Sequence, residues 1–354
     1  MSATSRLQTG SAFDPWREWN DHEGPMAAVA AAILAANPRN VQAWQFEVAE
    51  DRIEVFLDPA REEGALDPFH RELYVGLGCA LENLVLAARA NGYAPKVTLM
   101  PGDPGHAATV VLGSGTPDKG ELYQAIPLRR TNRAPFQKRP IPDALLTEMA
   151  GLGDDLESSS LMLFADDAGR KKVGTLLIAA TEEIVKDEEQ SKDGYVWFRK
   201  SKREIEQHRD GNIIDTQGLA RPISAIGKML PRQSRSTADR FWLRQTRNVH
   251  TATAAAYGMI VVPDAADNAC RVEGGRLLQR IHLFATARGL GLGHLNMFFV
   301  RSDRERQTGA EPRFTKALAE ITGDRGEGLA CFRLGYPTRP AAASPRRDLT
   351  DVVR

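Results

Sequence analysis

Leu73-Tyr-Val-Gly-Leu-Gly78-Cys-Ala-Leu81-Glu-Asn-Leu84-Val-Leu86-Ala-Ala88-Arg-Ala90-Asn-Gly92 reads as one long helix closed by Asn-Gly, a favoured C-terminal punctuation. A shift of 197 positions places Gly78, Leu81, Leu86, Ala88, Ala90 and Gly92 on Gly275, Leu278, Leu283, Ala285, Ala287 and Gly289, with Leu84 opposite Ile281. Any two Ala/Leu-rich amphipathic helices with a terminal glycine could align this well. A true internal duplication instead fixes the architecture as two related halves.

Working outward, Met26 to Ala36 is a run of strong helix formers stopped by Asn37-Pro38. Beyond that loop, Trp44–Val48 and Ile53–Leu57 alternate apolar and polar residues about the Glu50-Asp51-Arg52 turn, the pattern of a half-buried β-hairpin. Lys96–Met100 and Thr109–Leu112 read as two more strands. Each long helix is followed by a strand ending Leu-Gly, at Leu112-Gly113 and Leu334-Gly335. The Gly/Pro-rich turn cluster Gly113–Gly120 divides the chain into a first half, residues 1–120, and a second half, residues 121–354. The second is longer because residues 185–250 are inserted. That insert is charge-dense, then basic from Lys228 to Arg247, with Trp197, Phe198, Phe241 and Trp242 interleaved. An insert of this length reads as a lid or a partner surface.

Over 354 residues, 46 Lys and Arg balance 46 Asp and Glu, so no net field favours nucleic acid or anionic lipid, and any basic cluster is local. Cys79, Cys270 and Cys331 are too few and too scattered for a metal site or a disulfide framework, which suits a reducing cytoplasm. Met1-Ser-Ala-Thr-Ser-Arg-Leu-Gln8 lacks the features of a secretory signal, and no stretch is expected to approach the ~20 apolar residues of a membrane span.

Four stretches could carry chemistry. Arg129-Arg130-Thr131-Asn132-Arg133 puts three guanidinium forks within five residues, which suits a phosphate but supplies too few contacts for nucleic acid; its plain alternative is a solvated helix start. Asn37-Pro-Arg-Asn40-Val-Gln42-Ala-Trp44-Gln-Phe46 offers amides able to donate and accept toward a heterocycle edge. Gly289-Leu290-Gly291-Leu292-Gly293-His294 lets backbone approach a flat ligand. Phe332-Arg333-Leu-Gly-Tyr-Pro337, followed by Arg346-Arg347, is a strand, a turn and a second paired-arginine site. His70 and His294 are possible acids, although lone histidines are commonly structural.

In this order the four stretches resemble the FMN-dependent nitroreductase superfamily. Asn37–Phe46 resembles its A-P-S-x-x-N-x-Q-P-W-x-F loop, Arg129–Arg133 its R-R-S-x-R motif, Gly289–Gly293 its GLG loop, and Arg333–Pro337 with Arg346-Arg347 its I-G-Y-P…R close. With Asp67-Pro68…Arg71-Glu72-Leu73 and the duplication, the chain is most similar to the single-chain, fused-repeat branch typified by the mycobacterial Acg proteins. The resemblance implies an α+β fold of two related halves forming an intramolecular pseudo-dimer, with central antiparallel or mixed sheets flanked by helices. It implies FMN, with NAD(P)H as transient reductant and a small nitroaromatic or quinone-like acceptor. Arg129, Arg133 and Arg346 or Arg347 would hold the phosphate, with Arg130 and Asn132 in the same motif. Asn40, Gln42 and Trp44 belong to the loop that would meet the flavin, Asn40 and Gln42 bonding its pyrimidine edge or ribityl chain. Backbone at Leu290, Gly291, Leu292 and Gly293 would face N5. The mirror-image site would need an arginine entry motif before residue 26 and an Asn/Gln/Trp loop near residues 150–165, and the sequence has neither, so one flavin per chain is expected, in a monomer or a homodimer without nucleic-acid or membrane partners. The Asn37-Pro38 and Ala43 departures, and a branch in which a lid fills the pocket, leave two rival expectations: a flavin-sequestering protein, and a flavin-free binding or regulatory protein.

Overall fold

The computed structural model describes residues 10–102 and 105–354; the leader reading of Met1–Gln8 lies outside them. In chain order the elements are α1 (Pro15–Glu18), α2 (Gly24–Ala32), β1 (Trp44–Val48), β2 (Arg52–Leu57), α3 (Arg71–Ala90), β3 (Tyr93–Leu99), β4 (His106–Ser114), α4 (Glu121–Ala125) and α5 (Asp143–Ala150). They continue as β5 (Ser160–Phe164), α6 (Asp167–Lys186), α7 (Glu188–Val196), α8 (Lys202–His208), α9 (Arg221–Met229), α10 (Arg235–Gln245), β6 (Ala256–Val262) and α11 (Asn268–Ala287). β7 (Gly291–His294), α12 (Met297–Thr308), α13 (Arg313–Thr322), β8 (Glu327–Gly335) and α14 (Leu349–Val352) complete the chain.

The strands form two antiparallel sheets, ordered β1-β2-β4-β3 and β5-β6-β8-β7. The two orders are the same once numbered within each sheet. α3 and α11 are also related by the 197-residue offset at both ends, and they pack on one another between the sheets. Their crossing is set by two glycines. A Cβ on Gly78 would lie 2.0 Å from the Val272 carbonyl oxygen, and one on Gly275 would lie 2.2 Å from that of Val75, itself the residue 197 positions before Val272. Hydrogen as a side chain is what lets the backbones touch. Gly275→Ala is therefore expected to cost about 3 kcal/mol by overpacking, read as a fall in the urea midpoint; an unchanged midpoint would exclude the close crossing.

α3 corrects the expectation that no stretch is long and apolar enough for a span. By length and composition it could cross a membrane, yet 89% of its apolar window is buried inside the protein, against α2, α11 and the first sheet. It is a core helix.

Where β1 and β2 are joined by a tight turn, β5 and β6 are joined by residues 165–255. The first helix of that connection, α6, turns Val173, Leu177, Ala180 and Ile184 into the second core cluster. The remainder, α7 to α10, crosses to the first half, where Ala65 N donates to Asp193 (2.7 Å) and Gln190 donates to the Ala65 carbonyl (2.8 Å). The C-terminal tail crosses as well: Val353 bridges Phe46 in parallel and Arg354 N donates to the Phe46 carbonyl (2.9 Å). These two crossings bring distant segments to the loop before β1.

Candidate functional site

The loop from Asn37 to Gln42 is held in an unusual backbone. Arg39, Asn40 and Gln42 have φ of 43°, 60° and 56°, in the left-handed region that side chains other than glycine rarely adopt. Strain of this kind persists where surroundings over-determine it. Here the Asn37 side-chain oxygen accepts from Gln42 N (2.9 Å), and Arg39 is drawn to Glu63 (2.6 Å) and Glu72 (2.9 Å). Burial pushes the Glu63 carboxyl up to about 7, with Arg39 opposing that rise. Arg39 thus anchors the loop from behind, and Asn40 and Gln42 face the other way.

What they face is the insert. Asn40 donates to the carbonyl of Gly211 (3.3 Å) and accepts no lid donor on its side chain, while its own carbonyl receives Gly211 N (3.1 Å). Gln42 donates to the Arg209 carbonyl (2.8 Å). Arg133 donates to the Thr216 carbonyl (3.1 Å) and to the Asn212 side-chain oxygen (3.4 Å). A Cβ on Gly218 would lie 2.3 Å from Ala134 N and 2.3 Å from the Arg133 carbonyl carbon. Residues 209–218 are therefore wedged between the polar loop and the arginine motif. Asp210 latches the wedge by pairing with Arg61 and with Arg199 (2.7 Å), and both guanidiniums lie 5.6 Å from the Trp197 ring centroid.

Behind the wedge, a second group of cations converges on Trp16. The centroid of one of its rings is 3.6 Å from the Arg130 guanidinium carbon, 4.7 Å from that of Arg346 and 5.8 Å from that of Arg129. Trp16 is pinned by its indole N–H on the Ser344 carbonyl (2.8 Å), and Arg346 N donates to the Ala12 carbonyl (2.7 Å). Arg129 and Arg346 also donate to the carbonyls of Leu34 (3.1 Å) and Ala35 (3.1 Å), which follow α2 and are left over by its helical bonding. Capping explains those N–H groups only. Arg129 Nε and Nη1 and Arg346 Nε are buried with no partner, and among the described residues no carboxylate pairs with Arg129, Arg130, Arg133, Arg333 or Arg346. Burial first, then Arg130, pushes Arg129 down to about 9; burial pushes Arg133 down to about 10; burial first, then Arg129 and Arg130, lowers Arg346 strongly.

The same field acts on three histidines. Burial first, then Arg129 and Arg133, pushes His294 down to about 3. His282 is lowered by burial and Arg129, and His250 by burial, Arg333 and Arg133. All three are neutral near pH 7, so none is poised there as a general acid. His70 lies elsewhere, at the start of α3.

Of the residues read from the sequence, Asn40, Gln42, Arg129, Arg130, Arg133, Arg346 and Arg347 do gather at this place, but not in one role. Arg347 is spent on Asp58 (3.3 Å), the Gln42 carbonyl (3.2 Å) and the Asp351 carbonyl (2.6 Å), whereas Arg346, which donates from Nη1 to the Asn40 side-chain oxygen (2.6 Å), leaves one buried donor, Nε, without a partner. Arg130 bonds the carbonyls of Pro127 (3.0 Å) and Arg129 (2.6 Å) beneath Trp16. Three expectations need correction. Trp44 is a core residue, 1% exposed, because β1 alternates and its face packs inward. Asn132 folds its own segment, accepting Ala134 N (2.9 Å) and donating to the Arg339 carbonyl (3.1 Å). Leu290–Gly293 is not a loop over a ligand, since Gly291–His294 is strand β7, paired to β8 on one side while Leu292 bridges Thr131 and accepts Asn132 N (2.8 Å) on the other. Its glycines serve packing: a Cβ on Gly291 would meet Phe136 at 2.8 Å, and one on Gly293 the Asn132 carbonyl at 2.8 Å.

The arginine motif itself is extended and half to fully buried, not a solvated helix start. Sequence reading missed Trp16, the wedge 209–218 and the positioning role of Arg333, which ties the carbonyls of Asn132 (3.2 Å) and Ala134 (2.7 Å) to β8. Only Arg333 left a signal, an arginine inside an otherwise apolar strand. A cleft of about 970 Å³ lies outside the wedge, lined by Ser11, Phe13, Lys202, Glu206, Arg209 and Ile213 among others, and none of Asn40, Gln42, Arg129 or Arg133 borders it.

No protein-family model matches the chain. Two curated Mycobacterium tuberculosis proteins, from strains CDC 1551 / Oshkosh and ATCC 25618 / H37Rv and provisionally named NAD(P)H nitroreductases, are each 25% identical to it over 343 residues, covering 94% of this chain and 92% of theirs. Among solved structures, the FMN-dependent nitroreductase NfnB of Mycobacterium smegmatis in complex with NADPH is 16% identical, spans 66% of this chain and 97% of its own, and has a TM-score of 0.41. A Desulfovibrio desulfuricans nitroreductase in complex with FMN is 14% identical over 66% of this chain and 95% of its own, with a TM-score of 0.34. At those scores the likeness is weak and no conclusion rests on it. Over almost its whole length this chain is thus similar to two curated proteins provisionally named NAD(P)H nitroreductases, and its own motifs run in the order of the nitroreductase superfamily's.

Proposed function

We propose that the chain is an FMN-dependent NAD(P)H oxidoreductase of nitroreductase type with one flavin site, described here with its lid segment closed. One observation carries the reading: Arg129 and Arg346 are buried side by side at Trp16 with N–H groups that no carboxylate or carbonyl takes. Unpaired buried cations are costly, and a bound anion of phosphate geometry would reverse that cost through charge-assisted bonds. The donor set thus fits a flavin phosphate. Asn40, Gln42 and Arg133 would hold the polar edge or ribityl chain once residues 209–218 withdraw their own bonds from them. When bound, FMN supplies hydride acceptance from NAD(P)H and reduction of a small oxidised acceptor, a nitroaromatic or a quinone; the protein binds, orients and excludes water. The names of the mycobacterial relatives are in keeping with that activity. Because α3 and α11 pack within one chain, a monomer already contains the interface at which such a site would form.

The closed wedge favours a second reading, a flavin-free binding or regulatory protein, since Asn40, Gln42 and Arg133 already have partners in the lid and the C-terminal tail. Titrating purified protein with FMN separates the two. The oxidoreductase reading expects retained flavin absorbance after desalting, anaerobic bleaching by NADPH, and reoxidation by a nitroaromatic. Retained flavin that NADPH does not bleach would make the protein a sequestering one. Protein that stays colourless would end both flavin readings.

A further inference from the structure

The basic part of the insert has no role in the site, and its shape is unusual. In α9 the residues turned inward are the small ones: Ser224 is buried, and Gly227 lies so close to Ile214 that a Cβ there would meet its Cδ1 at 2.3 Å. The large apolar residues point out. Ile223 is 56% exposed, Ile226 59%, Met229 86% and Leu230 48%. Positions i, i+3 and i+7 share one helical face, so Ile223, Ile226 and Leu230 make a continuous stripe with Met229 beside it. A helix folding only for its own domain would bury these residues and expose the serine and glycine.

The stripe lies in a basic stretch of the chain. From Gly218 to Arg247 the chain carries seven basic residues, Arg221, Lys228, Arg232, Arg235, Arg240, Arg244 and Arg247, against Asp239 alone, on a chain of zero net charge. Lys228, Arg235 and Arg247 pair with Asp215, Glu188 and Glu182. Among the described residues, Arg221, Arg232, Arg240 and Arg244 have no carboxylate partner. Arg232 also donates to the Tyr195 hydroxyl (3.2 Å) and the Phe198 carbonyl (3.3 Å). An exposed aliphatic stripe in a stretch whose arginines lack carboxylate partners is the composition of a helix that lies in the headgroup region of an anionic bilayer.

We propose that α9 is a docking helix for an anionic lipid surface, inserting Ile223, Ile226, Met229 and Leu230 among the acyl chains while Arg221 and other arginines of this basic stretch meet the phosphates. The zero net charge of the chain is compatible with this, because the field that matters is confined to within about 10 Å of the surface. The inner face of α9 rests on Ile214, within the segment that closes the site.

Co-sedimentation with vesicles tests it, using the full chain without added flavin. The expected result is binding to phosphatidylcholine vesicles containing ~30% phosphatidylglycerol, little binding to phosphatidylcholine alone, and loss in ~0.5 M salt. The double variant Ile226→Glu/Met229→Glu should bind at least tenfold more weakly with an unchanged melting temperature, since both side chains are exposed. Arg221→Gln/Arg244→Gln, which leaves the stripe intact, should weaken binding to anionic vesicles alone. Equal binding to neutral and anionic vesicles, or a double variant that binds like the parent, overturns the proposal. So does self-association of the parent that the double variant abolishes without any vesicle binding, which would assign the stripe to a second copy of the chain. None of these readouts depends on flavin, so the outcome is separate from that of the enzymatic reading.

Discussion

Arg129→Met is expected to make the flavin-free protein more stable and to remove its hold on FMN. Arg129 is 3% exposed, has one hydrogen bond to the Leu34 carbonyl, and leaves Nε and Nη1 without partners. Burial and Arg130 push it down to about 9, the signature of a cation held where cations are disfavoured. Replacing an unpaired buried charge by an apolar side chain of similar length removes that penalty, and a gain of about 1–3 kcal/mol is the expected scale. The same change deletes the donors offered to a phosphate, each charge-assisted bond being worth roughly 1.5–3 kcal/mol, so affinity for FMN should fall by about a hundredfold or more. Urea denaturation with and without FMN reads both effects at once. A variant that is less stable without ligand, or that gains as much from FMN as the parent, would show that Arg129 is a structural cap of α2 and nothing more.

The second large effect is expected at the wedge. Gly218 has φ +68°, and its missing Cβ leaves room for the backbone of Arg133 and Ala134. Gly218→Val adds a branched side chain in a conformation that costs L residues roughly 1–2 kcal/mol, and forces it into overlapping backbone. With residues 209–218 withdrawn from Arg133 and Ala134, the overlap would be gone. If the closed form is disfavoured by about 3 kcal/mol, the open population rises by about two orders of magnitude wherever it was minor. FMN uptake should then accelerate at least tenfold, and trypsin should cut faster after Arg209, the first residue of the wedge. Uptake at the parental rate by a folded variant would mean that residues 209–218 do not gate the site.

The two predictions also mark where sequence reading succeeds and where it stops. The α3 and α11 pair was legible because its apolar spacing, its terminal glycines and its offset all lie on the chain as fixed intervals. The hairpin of β1 and β2 was legible for the same reason. The importance of Arg129–Arg133 and Arg346-Arg347 could be read from residue type, since guanidiniums that dense suit an anion. Their separate duties could not. Arg346 and Arg347 are adjacent, yet one is buried beside Trp16 and the other pairs with Asp58, a difference made by partners roughly 300 residues away. Trp44 shows the opposite failure. The motif suggests a ligand contact, but the alternation of β1 sends the indole into the core.

What the sequence by itself determined, then, is periodic and local: which segments are helix or strand, that two halves share one plan, and which arginines and amides deserve attention. Those properties follow from backbone sterics and from apolar spacing, which act over a few residues. Only the tertiary structure decided that Trp16 sits among three arginines, that residues 209–218 occupy the polar loop, and that α9 turns its large apolar side chains outward. Each depends on packing between segments that no fixed spacing links, where burial and charge are set by whatever the fold brings near.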